Sequence, residues 1–525
     1  MSLDANGGKP GKKNGNGPDS METPASGHVL REAGRRPDVP FCIDVVCDDE
    51  TLSVCCTEVV RSLPAKRLTC FGVWNSRPVV VKIFLDAIHA KRHWERERAG
   101  VAAMNRFGLQ TPSLLFAGRL SAGRAFALGF ERLLDARDFA AEWRQCADDT
   151  RRIRLLSQAA GAIAAQHQAG LSQNDAHWGN FLIRGEQIVA VDGDAVDHRR
   201  AGQPLSETES LNSVARFFAQ SSVEHDALLA AAFEQYEQAR GWPADSRRLK
   251  RLLRAVRARR KWRKKRYLRK KFRESTDHVC RKSWRRFLVC DRKAFTPEMS
   301  DFLENPDPVI ARSRLLKDGN SSTLALVDVN GRRLAVKRYN IKNIFHRLSR
   351  CARPSRAWGA WRNSHLLRFI RIQTPRPVAF MEIRWGWLRS GAYFITEYTD
   401  GDTLADRLTD KTAGSGAASG VIHDISKLFQ SLVNHSISHG DLKASNFIVS
   451  PCGVFITDLD AMKEHRFRWR FLKAFARDRK RFMKNWLNQP ALGREFESVI
   501  SQLNRDMPPG RCVSDCSEQS GNWGQ

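Results

Sequence analysis

The chain has 525 residues, 42% of them hydrophobic, and sets 87 Lys and Arg against 57 Asp and Glu for a formal net charge of +30. That length has room for two globular domains, each with a sizeable core. Apolar runs break well short of the ~18–20 residues that span a membrane, Met1–Ser20 lacks the apolar stretch of a secretory signal, and the twelve Cys form no metal-binding pattern, so reduced thiols are expected.

In chain order, residues 1–38 are rich in Gly, Asn and Lys and are expected to be a disordered tail. Pro78–Phe84 reads as a strand carrying Lys82. An ammonium in an apolar strand is costly unless paired, the bland alternative being an edge lysine facing water. The helical stretch His89–Arg98 supplies Glu97 as the candidate partner, and Leu128–Arg132 carries Glu131. The stretch LSQNDAHWGNFLIRGEQIVAVDGDA, Leu171–Ala195, holds Asp175, His177, Asn180 and Asp192.

From Arg247 to Arg273, 17 of 27 residues are Lys or Arg. Leu249, Leu252, Leu253 and Val256 recur at helical spacing, and Trp262, Tyr267 and Phe272 interleave with the later charges. Such a basic helix either packs on its own domain or meets an anionic surface, such as lipid head groups or a phosphorylated glycolipid. Nucleic acid ranks below these, because no nucleic-acid-binding module is visible.

In the second half, Thr323–Val329 and Arg332–Tyr339 alternate as strands around the turn Asn330-Gly331, with Lys337 on the second. Counting from the QTP stretches puts Ala360 where the first half has Glu97, with Asn363 as a weak stand-in; Ile395–Tyr398 carries Glu397. Then comes ISHGDLKASNFIVSPCGVFITDLDA, Ile437–Ala461. Its apolar runs flank Ser450–Gly453, a turn, so a hairpin should bring Asn446 near Asp458, with Asp441 and Lys443 in the loop leading in. An amide and a carboxylate there suit a hard cation, another Asp can accept a hydroxyl proton, and a Lys can neutralise phosphate. Asp175 to Asn180 and Asp441 to Asn446 are both five residues apart, Asn180 to Asp192 and Asn446 to Asp458 both twelve, at an offset of 266 residues. A duplicated domain is the natural expectation.

The residues HGDLKASN resemble the protein-kinase catalytic loop HRDLKxxN, and Asp458-Leu-Asp460 stands where protein kinases have DFG. The stretches LQTPSLLFAG and IQTPRPVAF resemble a signature of the lipopolysaccharide core kinases, which phosphorylate heptose or Kdo sugars. The resemblance implies an α+β chain of tandem protein-kinase-like bilobal domains, each with a small β-rich lobe and a mostly helical lobe. It implies ATP with Mg²⁺ or Mn²⁺, with Asp441, Lys443 and Asp175 catalytic. Lys337, Glu397, Lys82, Glu97, Glu131 and His177 would meet the nucleotide, and Asn446, Asp458, Asn180 and Asp192 the metal. The expected boundaries are a first domain at 39–285, a linker at 286–305, a second domain at 306–509 and a flexible tail at 510–525. Neither half has the APE anchor of a peptide kinase, and His465–Phe471 is basic and aromatic. The leading expectation is therefore a kinase of lipopolysaccharide core glycolipid at the cytoplasmic face of the inner membrane. A protein or small-molecule kinase and a tandem pseudokinase scaffold are the alternatives; oligomeric state is open. Gln173 in place of the motif His and the missing helix Glu of the second half are the departures.

Overall fold

A computed structural model describes residues 24–34, 37–48, 50–340, 354–386, 388–409 and 415–505. The expected tail at 510–525 and most of the one at 1–38 lie outside these. The chain divides into two compact units, the first running to Ser221 and including His225–Arg259, the second comprising Ser222–Glu224 and the chain from Arg260. Both mix helix and strand, as an α+β chain should.

The first unit opens with a short helix α1 (Gly27–Glu32), capped by the Ser26 side chain. Residues 24–34 thus depart from the expected disordered tail. Leu30 is buried in the same core as the strands that follow, and the Arg31 guanidinium donates to Leu85 O and Arg124 O. Six strands, β1 (Phe41–Cys47), β2 (Glu50–Leu63), β3 (Arg67–Trp74), β4 (Arg77–Phe84), β5 (Leu114–Leu120) and β6 (Phe126–Glu131), close into a barrel of order β1-β2-β3-β4-β6-β5. Closure leaves no unpaired edge. Strand alternation sends Ile43, Val45, Val54, Cys56, Val79 and Val81 inward. It also sets Cys42 directly opposite Cys55, and the two form a disulfide, against the expectation of reduced thiols throughout.

Helix α2 (Ala90–Arg106) joins β4 to β5. After the barrel come helix α3 (Asp149–Gln168), the hairpin β7 (Phe181–Arg184) and β8 (Gln187–Ala190), and helices α4 (Glu207–Phe218) and α5 (Asp226–Ala239). The Ser206–Glu209 capping box starts α4. The basic helix α6 is Ser246–Lys270. Its Leu252 and Val256 belong to the first unit's core and its Leu268 to a core of the second.

The second unit has a seven-stranded antiparallel sheet. Its strands are β9 (His278–Lys282), β10 (Arg286–Asp291), β11 (Arg314–Gly319), β12 (Ser322–Val329), β13 (Arg332–Tyr339), β14 (Pro377–Trp385) and β15 (Leu388–Glu397), in the order β9-β10-β14-β15-β13-β12-β11. The linker expected at 286–305 is instead part of this unit. β10 pairs with β9 and β14, and Phe287–Cys290 are buried on both faces. The helix Pro297–Glu304 buries Met299, Phe302 and Leu303 against the sheet. Four apolar residues flanked by arginines resemble a loop in sequence but pack as an interior strand. Helix α7 (Arg356–Phe369), helix α8 (Ser415–Asn434), the hairpin β16 (Phe447–Ser450) and β17 (Gly453–Ile456), and helices α9 (Arg468–Met483) and α10 (Pro490–Arg505) complete the unit. Among the described residues no helix is long and apolar enough to cross a membrane.

Candidate active site

In the first unit, β4 carries Lys82 into the protein, where it is 9% exposed, and α2 presents the fully buried Glu97 to it. The two form an ion pair, with Asp192 Oδ1 3.5 Å from the same ammonium and Val191 O at 3.0 Å. Burial pushes the Glu97 carboxyl up, and Lys82 works against it. At Asp192 burial acts the same way and is the largest single influence, but Lys82, the hydrogen bond with Glu97 and Arg67 together hold the carboxyl low. Glu97 also accepts from the Gly193 and Asp194 amides at 3.0 and 3.1 Å. Gly193 is the residue that lets this loop sit against α2, because a Cβ there would lie 2.4 Å from Glu97 O.

Asn180 Nδ2 donates to Asp175 O at 3.0 Å and lies 3.5 Å from Asp192 Oδ2, so Asp175, Asn180 and Asp192 come together as the hairpin spacing predicts. Asp175 is exposed. His177 Nδ1 accepts from Gly179 N at 3.0 Å, so the ring caps its own turn. Buried Gln173 has no hydrogen-bond partner for either side-chain polar atom among the described residues.

The second unit solves the lysine problem differently. Lys337 Nζ on β13 lies 2.7 Å from Asp458 Oδ1 and 2.9 Å from Asp460 Oδ2. Ala360 is buried where a helix glutamate would stand, and Asn363 makes no substitute, since its amide donates to Leu459 O and Met462 O. Asp460 takes that role from the loop: it also accepts from Tyr339 OH at 2.6 Å and pairs with Arg356 at 2.9 Å. Burial, then Asp460, hold the Tyr339 phenol well above its usual range, so it remains a donor. At Asp458 burial would raise the carboxyl, but Lys337, with smaller help from His439 and Lys317, keeps it low. Asp458 sits at φ 56°, a left-handed backbone that turns its side chain toward β13.

The loop before the hairpin is braced from below. His439 is 1% exposed; its Nε2 donates to Thr457 O at 2.9 Å. Asp478 on α9 accepts from the His439 and Gly440 amides at 2.7 and 2.9 Å. Burial raises the Asp478 carboxyl, and those two amides oppose it. Gly440 has φ 82°, and a Cβ there would lie 2.8 Å from Ala461, so only glycine lets the two loops meet. Asn446 Nδ2 donates to Asp441 O at 2.8 Å, leaving its carbonyl oxygen for another partner. Lys443 lies 3.3 Å and Arg481 2.5 Å from the Asp441 carboxylate.

The two glutamates expected at the adenine edge are strand-end residues. Their amides are used, Glu131 N by Ser113 O and Glu397 N by Arg376 O, both at 2.9 Å, so these residues have their carbonyls to offer. Among the described residues no three His, Cys, Asp or Glu side chains form a metal cage. Asn446 and Asp458 fit the other pattern, two oxygen donors that hold a hard cation together with substrate oxygens and water.

Sequence reasoning missed Asp460, Tyr339, Asp478 and Arg481. The signal for Asp460 was an acid standing where kinases have glycine. The partners of Asp478 and Arg481 lie about 40 residues upstream, at a distance that only the fold sets.

Residues 310–502 match the family model of the lipopolysaccharide kinase (Kdo/WaaP) family. The match indicates a phosphotransferase and supports a kinase that acts on lipopolysaccharide. It lies within the second unit and does not extend to the first. No curated protein matches the chain.

Proposed function

We propose that the protein is an ATP-dependent kinase that phosphorylates a sugar of the lipopolysaccharide core at the cytoplasmic face of the inner membrane. Both units would be kinase-like domains, with the second performing the transfer. The observation that carries this is a loop in which Asn446 donates to Asp441 O at 2.8 Å and accepts from Thr457 N at 2.8 Å, beside the Asp458 that pairs with Lys337, all within the residues matched by the lipopolysaccharide kinase model. Lys337 would bind the α- and β-phosphates, with Asp460, Tyr339 and Arg356 orienting it. Asp441 would take or orient the proton of the attacking sugar hydroxyl, and Lys443 would neutralise the transferred phosphoryl group. Asn446 and Asp458 would hold Mg²⁺ or Mn²⁺, which supplies charge neutralisation at the β- and γ-phosphates. Glu397, and Glu131 in the first unit, would mark the adenine edge through their carbonyls.

In the first unit Lys82 and Glu97 would bind nucleotide, with Asn180 and Asp192 at the metal position. Asp175 keeps the base position, its loop held by Arg216 and Gln220 rather than by a buried His and Asp as in the second. Buried, unpartnered Gln173 supports a first unit that docks substrate more than it turns it over. The acceptor glycolipid and an anionic membrane surface are the proposed partners, the exposed cations of α6 facing the latter. Transfer of labelled phosphate from ATP to dephosphorylated core glycolipid tests the proposal; a wild-type protein that binds ATP and transfers nothing would favour the scaffold.

A further inference from the structure

Beside Asp441 the second unit has a cleft of about 910 Å³ whose charge is lopsided. Lys443, Lys463, Arg477, Lys480, Arg481 and Lys484 line it, against one carboxylate, Asp478. That carboxylate is already spent on the His439 and Gly440 amides. Lys443 and Arg481 reach Asp441. Lys463, Arg477, Lys480 and Lys484 have no carboxylate within ion-pair distance among the described residues.

Four of these cations, Arg477, Lys480, Arg481 and Lys484, stand at i, i+3, i+4 and i+7 along α9 and its C-terminal cap, so they share one face. Like charges at that spacing repel. The helix dipole accounts for cations in the last turn, but not for Arg477, nor for Lys463 on a separate strand.

The first unit has a cleft of about 590 Å³ in the corresponding place, 266 residues earlier, where Ser172 answers Ser438 and Asp197 answers Lys463. Its charges nearly balance: Arg199 pairs with Asp197 at 2.5 Å and Arg200 with Glu209 at 3.1 Å, which leaves Arg216 beyond the pairs. Such a cleft can thus be lined with a single surplus cation, and the much larger excess in the second unit calls for an anion.

Resting on the kinase reading above, we infer that this cleft is the subsite for a phosphate or carboxylate group carried by the acceptor itself, seated beside the hydroxyl that Asp441 addresses. Arg481 links the two events, because it lies on the cleft wall and on Asp441 together. An anion arriving in the cleft competes for Arg481 and frees Asp441 as the acceptor docks.

Binding tests this without nucleotide. Core oligosaccharide is titrated into the full-length protein in four forms: native, enzymatically dephosphorylated, carboxyl-reduced, and both. The wild type should bind the native form at least about tenfold more tightly than the doubly neutralised one, since charge-assisted pairs are the strong ones. The singly treated forms tell phosphate from carboxylate. Arg477→Gln/Lys480→Gln/Lys484→Gln should lose that preference, and Lys463→Gln, which leaves the helix untouched, should lose part of it. Equal binding of native and doubly neutralised saccharide by the wild type, or an unchanged preference in the triple variant, would overturn the subsite. A wild type with the preference but without phosphate transfer would keep the subsite and remove the kinase reading. Equal transfer to the neutral saccharide would do the reverse.

Discussion

Lys337 is held by two loop carboxylates, and that arrangement has a pH signature. Asp458 is kept below its ordinary value of 3.8 because Lys337 above all, with His439 and Lys317, works against burial. A carboxyl depressed in the folded state contributes stability above its unfolded value and loses it as pH falls through the folded one. In Lys337→Met the burial remains and the largest opposing charge is gone, with only His439 and Lys317 left to counter it, so the Asp458 carboxyl should rise toward or above the unfolded value and its stabilising contribution should fall away. Urea unfolding between pH 3 and 7 should show the variant's deficit growing as pH rises through the carboxylate range; a deficit independent of pH would refute this. The bracing below the loop makes a second prediction. Asp478→Ala strands two buried amides, which costs about 1–3 kcal/mol, and should lower the transfer rate more than ATP affinity, as measured by thermal unfolding and steady-state kinetics. At this scale the sequence already displayed Lys82, Glu97, Asp441, Asn446 and Asp458, because strand alternation and hairpin spacing bring them together. It hid the exchange of a helix glutamate for Asp460, because which acid reaches Lys337 depends on a loop turned by a left-handed residue.

Helix α6 shows how one element can satisfy two readings. Its periodic leucines are core: Leu252 and Val256 are fully buried. Arg248 pairs with Glu207 and Glu237, Lys264 with Glu464, and Tyr267 packs on Phe369 with Lys271 over its ring. Arg257, Lys261, Lys265, Arg266 and Lys270 remain exposed. Leu252→Ala should therefore destabilise by about 2–5 kcal/mol in chemical denaturation. Changing these five exposed cations to Gln should leave stability near wild type while weakening binding to anionic vesicles by an order of magnitude or more, since juxtamembrane cations act additively. Vesicle binding unaffected by both the substitutions and salt would make the helix purely structural. Periodicity revealed this helix, yet the same reading missed β10, whose four apolar residues are too few to show a period and are flanked by arginines.

For the whole molecule, the difference lies in where the second unit begins. A fragment starting at residue 306, the boundary that the kinase resemblance implies, lacks β9 and β10 and exposes the edge of β14; it should be insoluble or molten by circular dichroism. A fragment starting at residue 260 retains both strands and Leu268 and should melt cooperatively. On the proposed reading, two units with similar acid spacing and unlike bracing would divide the labour, the second transferring phosphate and the first contributing docking. Comparing phosphate transfer to dephosphorylated core glycolipid by Asp441→Asn and Asp175→Asn in the full-length protein tests this most directly. Asp441→Asn should lower the rate by about 10²–10⁴-fold with ATP affinity retained, while Asp175→Asn should cost far less. Loss with Asp175→Asn and an unaffected rate with Asp441→Asn would contradict the account.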